Sequence, residues 1–265
     1  MAIQRAADVH PTAIVQDGAR IADCCIIGPY CTVGSEVELG PRVHLKSHAV
    51  VTGATQIGEA TVIFPFAVVG EIPQDMKFKG EKTRLVVGKR NRIREGATLN
   101  TGTKGGGGVT RVGDDCLFMT GAHVGHDAQI GNRVVMANQA AVGGHCVIGD
   151  DVVIGGLSGV HQFVRIGNGA IIGALTKVTH DVIPHGLVQG PRGKLDGLNL
   201  VGLKRRGVSR TDITALRAAY QALAQGEGAF LERAQRVRDE TESAYVREVS
   251  DFILAGSDRS FLTPS

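Results

Sequence analysis

An aliphatic side chain returns at every sixth residue along most of this chain, and no other feature restricts its possible folds as severely. Val9, Val15, Ile21, Ile27, Val33, Leu39, Leu45, Val51, Ile57, Ile63 and Val69 keep the period without a slip, and Val87, Ile93 and Leu99 resume it in phase. After a second break the register resets. Anchors then run from Val112 through Phe118, Val124, Ile130, Met136, Val142, Ile148, Ile154, Val160, Ile166 and Ile172 to Val178. Self-similarity at this period is the hexapeptide pattern, in which three hexads close one triangular coil and coils stack into a solenoid. A small residue commonly follows the anchor and another stands four positions after it, as in "IGPYCT" and "IGDDVV". Anchors and small residues fill the inside of the coil, and neighbouring coils pair as parallel strands about 4.8 Å apart.

Composition supports a core of this kind. The chain has 37 Gly, three Tyr and no Trp in 265 residues, so its interior is built from Val, Ile, Leu and Ala around tight turns. No apolar run reaches the roughly 18 residues of a membrane span, and the start lacks a charged region followed by an apolar one. Neither a membrane span nor a signal peptide is expected, and the cytoplasm is the expected compartment. A net charge of +3, with basic residues scattered except at Lys204, Arg205 and Arg206, argues against bulk nucleic-acid binding but leaves room for a local anion site. Cys25, Cys31, Cys116 and Cys146 all fall four positions after an anchor, in the small inward slot, and only Cys24 departs. With an odd count and no C-x-x-C, reduced thiols are expected instead of disulfides or a metal site.

Two stretches break the period: residues 70–86, "GEIPQDMKFKGEKTRLV", and residues 100–111, "NTGTKGGGGVTR". Both are expected to loop out of the coil, and such loops often carry function. After Val178 the pattern stops at a Pro- and Gly-rich connector. From Ser209 the spacing turns helical: "SRTD" resembles a capping box, "DITALRAAYQALAQ" opens one amphipathic helix, and "GAFLERAQRVRDE" and "ESAYVREVSDFILAG" give two more. A prism over 1–190 and a helical domain over 191–265 are expected.

The hexads beginning at Val124, Val142, Val160 and Val178 form one column, and it contains His126, His145, His161 and His180, with Gly144 one coil from His126 at the same offset. Two chemistries suit such a column. His126, His145 and His123 can ligate zinc as neutral imidazoles. Alternatively His126 serves as a general base, Asp127 orients it or stabilises its imidazolium, and the Gly144 N–H stabilises an oxyanion. The second set needs no metal.

Further motifs point one way: "VHPTAIV", "LKSHAVV", "GEIPQDMKFKGE", "RNRIREGATLNTGT", "AHVGHD", "GGH", "HQF" and "GLNLVGLKRRG". In order and spacing, over nearly the whole chain, the sequence resembles the UDP-N-acetylglucosamine O-acyltransferase family that opens lipid A synthesis. The resemblance implies an all-β left-handed parallel β-helix, a triangular prism with a C-terminal α-helical domain, assembled as a homotrimer with active sites between subunits. It implies transfer of a 3-hydroxyacyl group from acyl carrier protein to the glucosamine 3-hydroxyl, with no metal or cofactor. On matching positions it makes His126 the base, Asp127 its partner and Gly144 the oxyanion donor. His123 and His145 then line the site, Gln74, Asp75 and Lys77 contact sugar and acyl chain, and His161, Gln162, Asn199 and Arg205 lie on the nucleotide side. Ala174 matches the position that limits acyl length, where the family often has Gly. It lies about 2.7 coils beyond His126, roughly 13 Å along the axis at about 4.8 Å per coil, which suits a chain between about C10 and C14. Arg192, Val201 and Asn100 depart from the family's His, acidic residue and His. A 3-amino sugar nucleotide acceptor, giving an amide, stays open as an alternative, and a zinc-dependent prism hydratase is a remote one.

Overall fold

A computed structural model describes residues 6–257 and 259–264. Strands of two to four residues recur through the first two thirds of the chain and pair in parallel with strands one coil away. Three faces result. The first includes Ile26–Ile27, His44–Leu45, Val135–Met136 and Ile171–Ile172; the second Thr32–Val33, Val68–Glu71, Thr98–Asn100, His123–Val124, Ala141–Val142 and Gly159–Val160; the third Glu38–Leu39, Arg84–Val87, Val109–Val112, Gln129–Ile130 and Val147–Ile148. The fold is a left-handed parallel β-helix closed by a helical domain.

Each face bends into the next at a corner where the residue three positions after the anchor takes a left-handed backbone conformation. Tyr30, His48, Phe66, Asp127, His145, Leu157, Phe163 and Leu175 all do so, with φ between 57° and 67°. Non-Gly residues adopt this region uncommonly. The corner tolerates them because the next residue turns inward to the core and the stack of coils fixes the turn. That inward residue is the small one expected at the fourth position: Cys25, Ala49, Ala67, Ala97, Ala122 and Ala140 are all buried. Polar residues in this slot are satisfied. Asn91 donates from Nδ2 to the Gly113 carbonyl and accepts at Oδ1 from the Cys116 N–H.

The anchors from Ile27 onward are buried, but Val9 is 42% exposed and Val15 and Ile21 are only partly covered. Among the described residues their coil ends the stack, so one side of each anchor has no neighbouring layer. All five cysteines are free thiols, with Cys24 exposed and the others buried. Burial pushes Cys116 up to about 11 and Cys146 up to about 12. Since the thiolate is the reactive form, one thiol per native chain is expected to react promptly with a disulfide reagent at pH 8, and five after unfolding. Prompt native labelling of Cys116 or Cys146 would contradict the packing.

The strands reach further into the two breaks than the period implies. The first loop is confined between Val68–Glu71 and Arg84–Val87, and the second, containing a short 3-10 turn at Lys104–Gly106, lies between Thr98–Asn100 and Val109–Val112. Alternation brings "RLVV" back into the third face, with Leu85 and Val87 buried. Both loops therefore leave the second face and return to the third, replacing the corner at the same edge.

After the last coil the chain forms a hairpin, Gly186–Gln189 with Lys194–Leu198, which extends the first face. Among the described residues four helices follow where sequence spacing indicates three: α1 (Leu200–Arg205), α2 (Arg210–Gln225), α3 (Phe230–Glu240) and α4 (Ala244–Leu254). The short α1 is too brief to show a period, and its start is marked by Asn199, whose Oδ1 accepts from the Gly202 N–H. Ser209 caps α2 by accepting from the Asp212 N–H. Among the described residues, no helix is long and apolar enough to cross a membrane.

Candidate active site

The edge between the second and third faces carries the histidine column. At the corner after Val124, His126 is 8% exposed and its Nδ1 lies 2.8 Å from Asp127 Oδ2. Asp127 is 4% exposed and held from several sides. Its Oδ1 and Oδ2 accept from the Thr103 N–H at 2.9 and 3.0 Å, Oδ2 accepts from the Thr103 hydroxyl at 2.6 Å, and its own N–H donates to Thr110 Oγ1 at 2.7 Å. With Asp127 Oδ2 as acceptor, the hydrogen of His126 sits on Nδ1, which leaves Nε2 as the basic nitrogen.

One coil on, His145 meets the His126 ring edge-on at a centroid distance of 4.9 Å, and Phe163 of the following coil stacks flat on His145 at 4.4 Å. His123 faces Thr98 Oγ1 through Nδ1 at 2.7 Å. Burial holds both His123 and His145 below the ordinary imidazole range, and His44 behaves likewise. A buried neutral imidazole binds protons less readily than in the unfolded chain. Its stabilising contribution is therefore present above the unfolded value, about 6.5, and is lost as pH falls through it. The urea midpoint is expected to fall between pH 7.5 and 5.5, and His123→Gln to shrink the difference. A midpoint that rises toward pH 5.5 would refute this.

Gly144 lies directly against His126. A Cβ placed there would approach His126 Cε1 to 2.5 Å and Nε2 to 2.6 Å. The same corner position is occupied by Pro29, Pro41 and Pro65 elsewhere in the prism. Proline has no N–H to give, so the backbone ladder does not need the N–H at this place; at other corners a side chain of a neighbouring coil takes it, as Asn132 Oδ1 does from Asp114 and Asp150 Oδ1 from Asn132, whereas that of Gly144 has no acceptor among the described residues and is open to a ligand.

The two insertions roof this edge. Asp75, Lys77 and Phe78 of the first loop and Thr103, Lys104 and Gly105 of the second line a cavity of ≈ 250 Å³ with His145 and Phe163. Gln74 is exposed beside Asp75, and the next coil presents exposed His161 and Gln162 on the same edge. His161 Nδ1 lies 3.0 Å from Arg259 Nη2. Other candidates lie elsewhere on the single chain. Asn199 caps α1 and donates to the Gly169 carbonyl at the edge between the third and first faces. Arg205 is exposed nearby, while Arg206 points at His185 Nδ1, 3.3 Å away. Ala174 is exposed at the edge between the first and second faces. Thr103, Thr110, Gly106 and Phe163 are site residues that sequence reasoning missed. One available signal was that Val69 and Leu99, the anchors before the insertions, belong to the column of Val124.

His126, Asp127 and His145 bring their ligand atoms within 4.8 Å of one another, whereas His123, the third member of the zinc set read from sequence, is not in that group. The Asp127 oxygens already accept from Thr103 and His126, so the donor set suits a hydrogen-bonded base better than a metal.

The chain is similar to known proteins along nearly its whole length. A hexapeptide-transferase family model matches residues 18–53, 110–144 and 145–180, and the model for domain 2 of UDP-N-acetylglucosamine O-acyltransferase matches 181–262. The acyl-[acyl-carrier-protein]–UDP-N-acetylglucosamine O-acyltransferase of Rhizobium johnstonii is 47% identical over 264 residues, covering 99% of this chain and 97% of its own. The chain belongs to the UDP-N-acetylglucosamine O-acyltransferase family. A member from Paracoccus denitrificans is 63% identical over 203 residues, 77% of either chain. The structure of the family member LpxA from Acinetobacter baumannii superposes with a TM-score of 0.92 at 37% identity, covering 96% of this chain and 99% of that one.

Proposed function

We propose that the protein transfers a 3-hydroxyacyl group from acyl carrier protein to the 3-hydroxyl of UDP-N-acetylglucosamine, the first step of lipid A biosynthesis. The observation that carries the mechanism is the His126–Asp127 pair, seated against the free N–H of Gly144. His126 Nε2 takes the proton of the sugar hydroxyl as its oxygen attacks the thioester carbonyl. The Gly144 N–H receives the developing oxyanion. Collapse of the tetrahedral intermediate breaks the carbon–sulfur bond, and the imidazolium returns its proton to the departing thiolate. His123 and His145, neutral at pH 7, donate or accept hydrogen bonds without adding charge. Asp75, Lys77 and Gln74 contact sugar and acyl chain; His161, Gln162, Asn199 and Arg205 serve the nucleotide.

A homotrimer in the cytoplasm completes this reading. On one prism Ala174, Asn199 and Arg205 lie on edges other than that of His126, so a substrate touching all of them spans more than one copy. The edge bearing Ala174 is also apolar: the rings of Tyr30, His48 and Phe66 follow one another, tilted, with centroids 5.0 Å apart, and Leu157 and Leu175 are exposed beyond them. The opposite kind of edge holds an ion-pair ladder, with Arg42–Glu59, Arg90–Asp115 and Arg133–Asp151 pairs. The apolar edge suits a subunit contact and the charged one suits water.

The test is an assay of purified protein with UDP-N-acetylglucosamine or its 3-amino analogue and a panel of 3-hydroxyacyl carrier proteins. Ester formation with a C10–C14 donor supports the reading, and exclusive amide formation overturns the acceptor. Ala174→Gly is expected to shift the preferred donor toward longer chains, since removing a methyl where the acyl path is proposed to end makes room there. An unchanged preference would remove Ala174 from that role.

A further inference from the structure

The geometry points to Thr103 as a positioning residue for the transfer, acting on His126 through Asp127. This rests on His126 being the base. Asp127 Oδ2 is a shared acceptor: it lies 2.6 Å from the Thr103 hydroxyl and 2.8 Å from His126 Nδ1. The Thr103 N–H reaches both carboxylate oxygens. Thr103 thus grips the carboxylate with backbone and side chain together and determines where Oδ2 sits, and hence where the imidazole points.

The surrounding chain is built for this grip. Thr103 is buried on the second insertion, which leaves the prism at the edge of the histidine column. A Cβ on Gly106 would lie 2.1 Å from Asp127 Cγ, and one on Gly102 would lie 2.7 Å from Asp127 Oδ1, so the loop closes over the carboxylate only because glycine stands at both places. The Thr110 hydroxyl, where the loop rejoins the third face, accepts the Asp127 N–H. The loop encloses the carboxylate from Gly102 to Thr110, and among the described residues the Thr103 hydroxyl is the one side chain of this loop that donates to Oδ2, beside His126 from the coil. Hydrogen bonds to a charged group are the strong ones, and small misplacements of a base are costly in rate.

Thr103→Val keeps the shape and the backbone donor and removes the hydroxyl. It is expected to lower kcat about 10- to 30-fold while both KM values stay within threefold, and Thr103→Ser is expected to restore at least half of kcat. In a His126→Ala background, Thr103→Val is expected to cost less than twofold more. A Thr103→Val enzyme with kcat within twofold of wild type, a Ser variant as impaired as Val, or a loss confined to KM would each overturn the assignment. A full further loss in the His126→Ala background overturns it too while leaving the base intact. If His126→Ala alone keeps most of its kcat, the base reading fails on that variant, whatever Thr103 does.

Discussion

His126→Ala is expected to lower kcat by about 10² to 10⁴-fold, the range that a positioned general base contributes, with little change in KM for either substrate. The expectation follows from an arrangement that leaves one basic nitrogen and no substitute for it. Nδ1 is committed to Asp127 at 2.8 Å, so Nε2 alone is available to the hydroxyl. His145, 4.9 Å away between ring centroids, is turned edge-on and pinned flat against Phe163, which keeps it from swinging into the vacated place. The variant should fold, because Asp127 keeps its bonds to Thr103 and the corner needs no particular side chain at position 126. Steady-state kinetics at saturating concentrations of both substrates decide the matter: a variant retaining a tenth or more of kcat would mean that another group removes the proton.

Gly144→Ala is expected to cost about 10²-fold in kcat in a protein whose melting temperature moves by only a few degrees. The backbone here is compatible with alanine, since Gly144 is not among the glycines with positive φ. What the methyl group meets is the imidazole, at 2.5 Å from Cε1 and 2.6 Å from Nε2. Contacts this short are not accommodated, so the ring must leave Asp127, giving up a charge-assisted hydrogen bond of about 1.5–3 kcal/mol. Displacement of a catalytic group by about 1 Å carries a penalty near 10²-fold. The N–H survives in alanine, so the loss measures the seating of the base and not the oxyanion contact. Unchanged kcat, or a structure of the variant with the ring still in place, would show that the two groups are not packed as described.

Much of the architecture was legible because a six-residue period leaves a core little freedom. Each anchor from Ile27 onward sits where its spacing puts it, and Cys25, Cys31, Cys116 and Cys146 fill the inward slot. The convergence of His126 and His145 follows from the same spacing. Less was legible where contacts cross between loops and coils. That Thr103 would reach Asp127 depends on the path of an eight-residue excursion rich in glycine, whose conformation no periodicity encodes. Phe163 was invisible for another reason: its ring matters only because the left-handed corner turns it onto His145. Helix α1 escaped because six residues do not make a pattern.

The exposed first coil has a thermodynamic meaning. In a solenoid each layer is stabilised almost wholly by the two beside it, so a terminal layer with half-covered anchors such as Val9 opens at a smaller free-energy cost than those inside. At the other end the hairpin and helices cover the last layer. Fraying on warming therefore starts far from the imidazoles, which occupy interior layers, and the enzyme can lose its first turn of spiral while its chemistry stays intact.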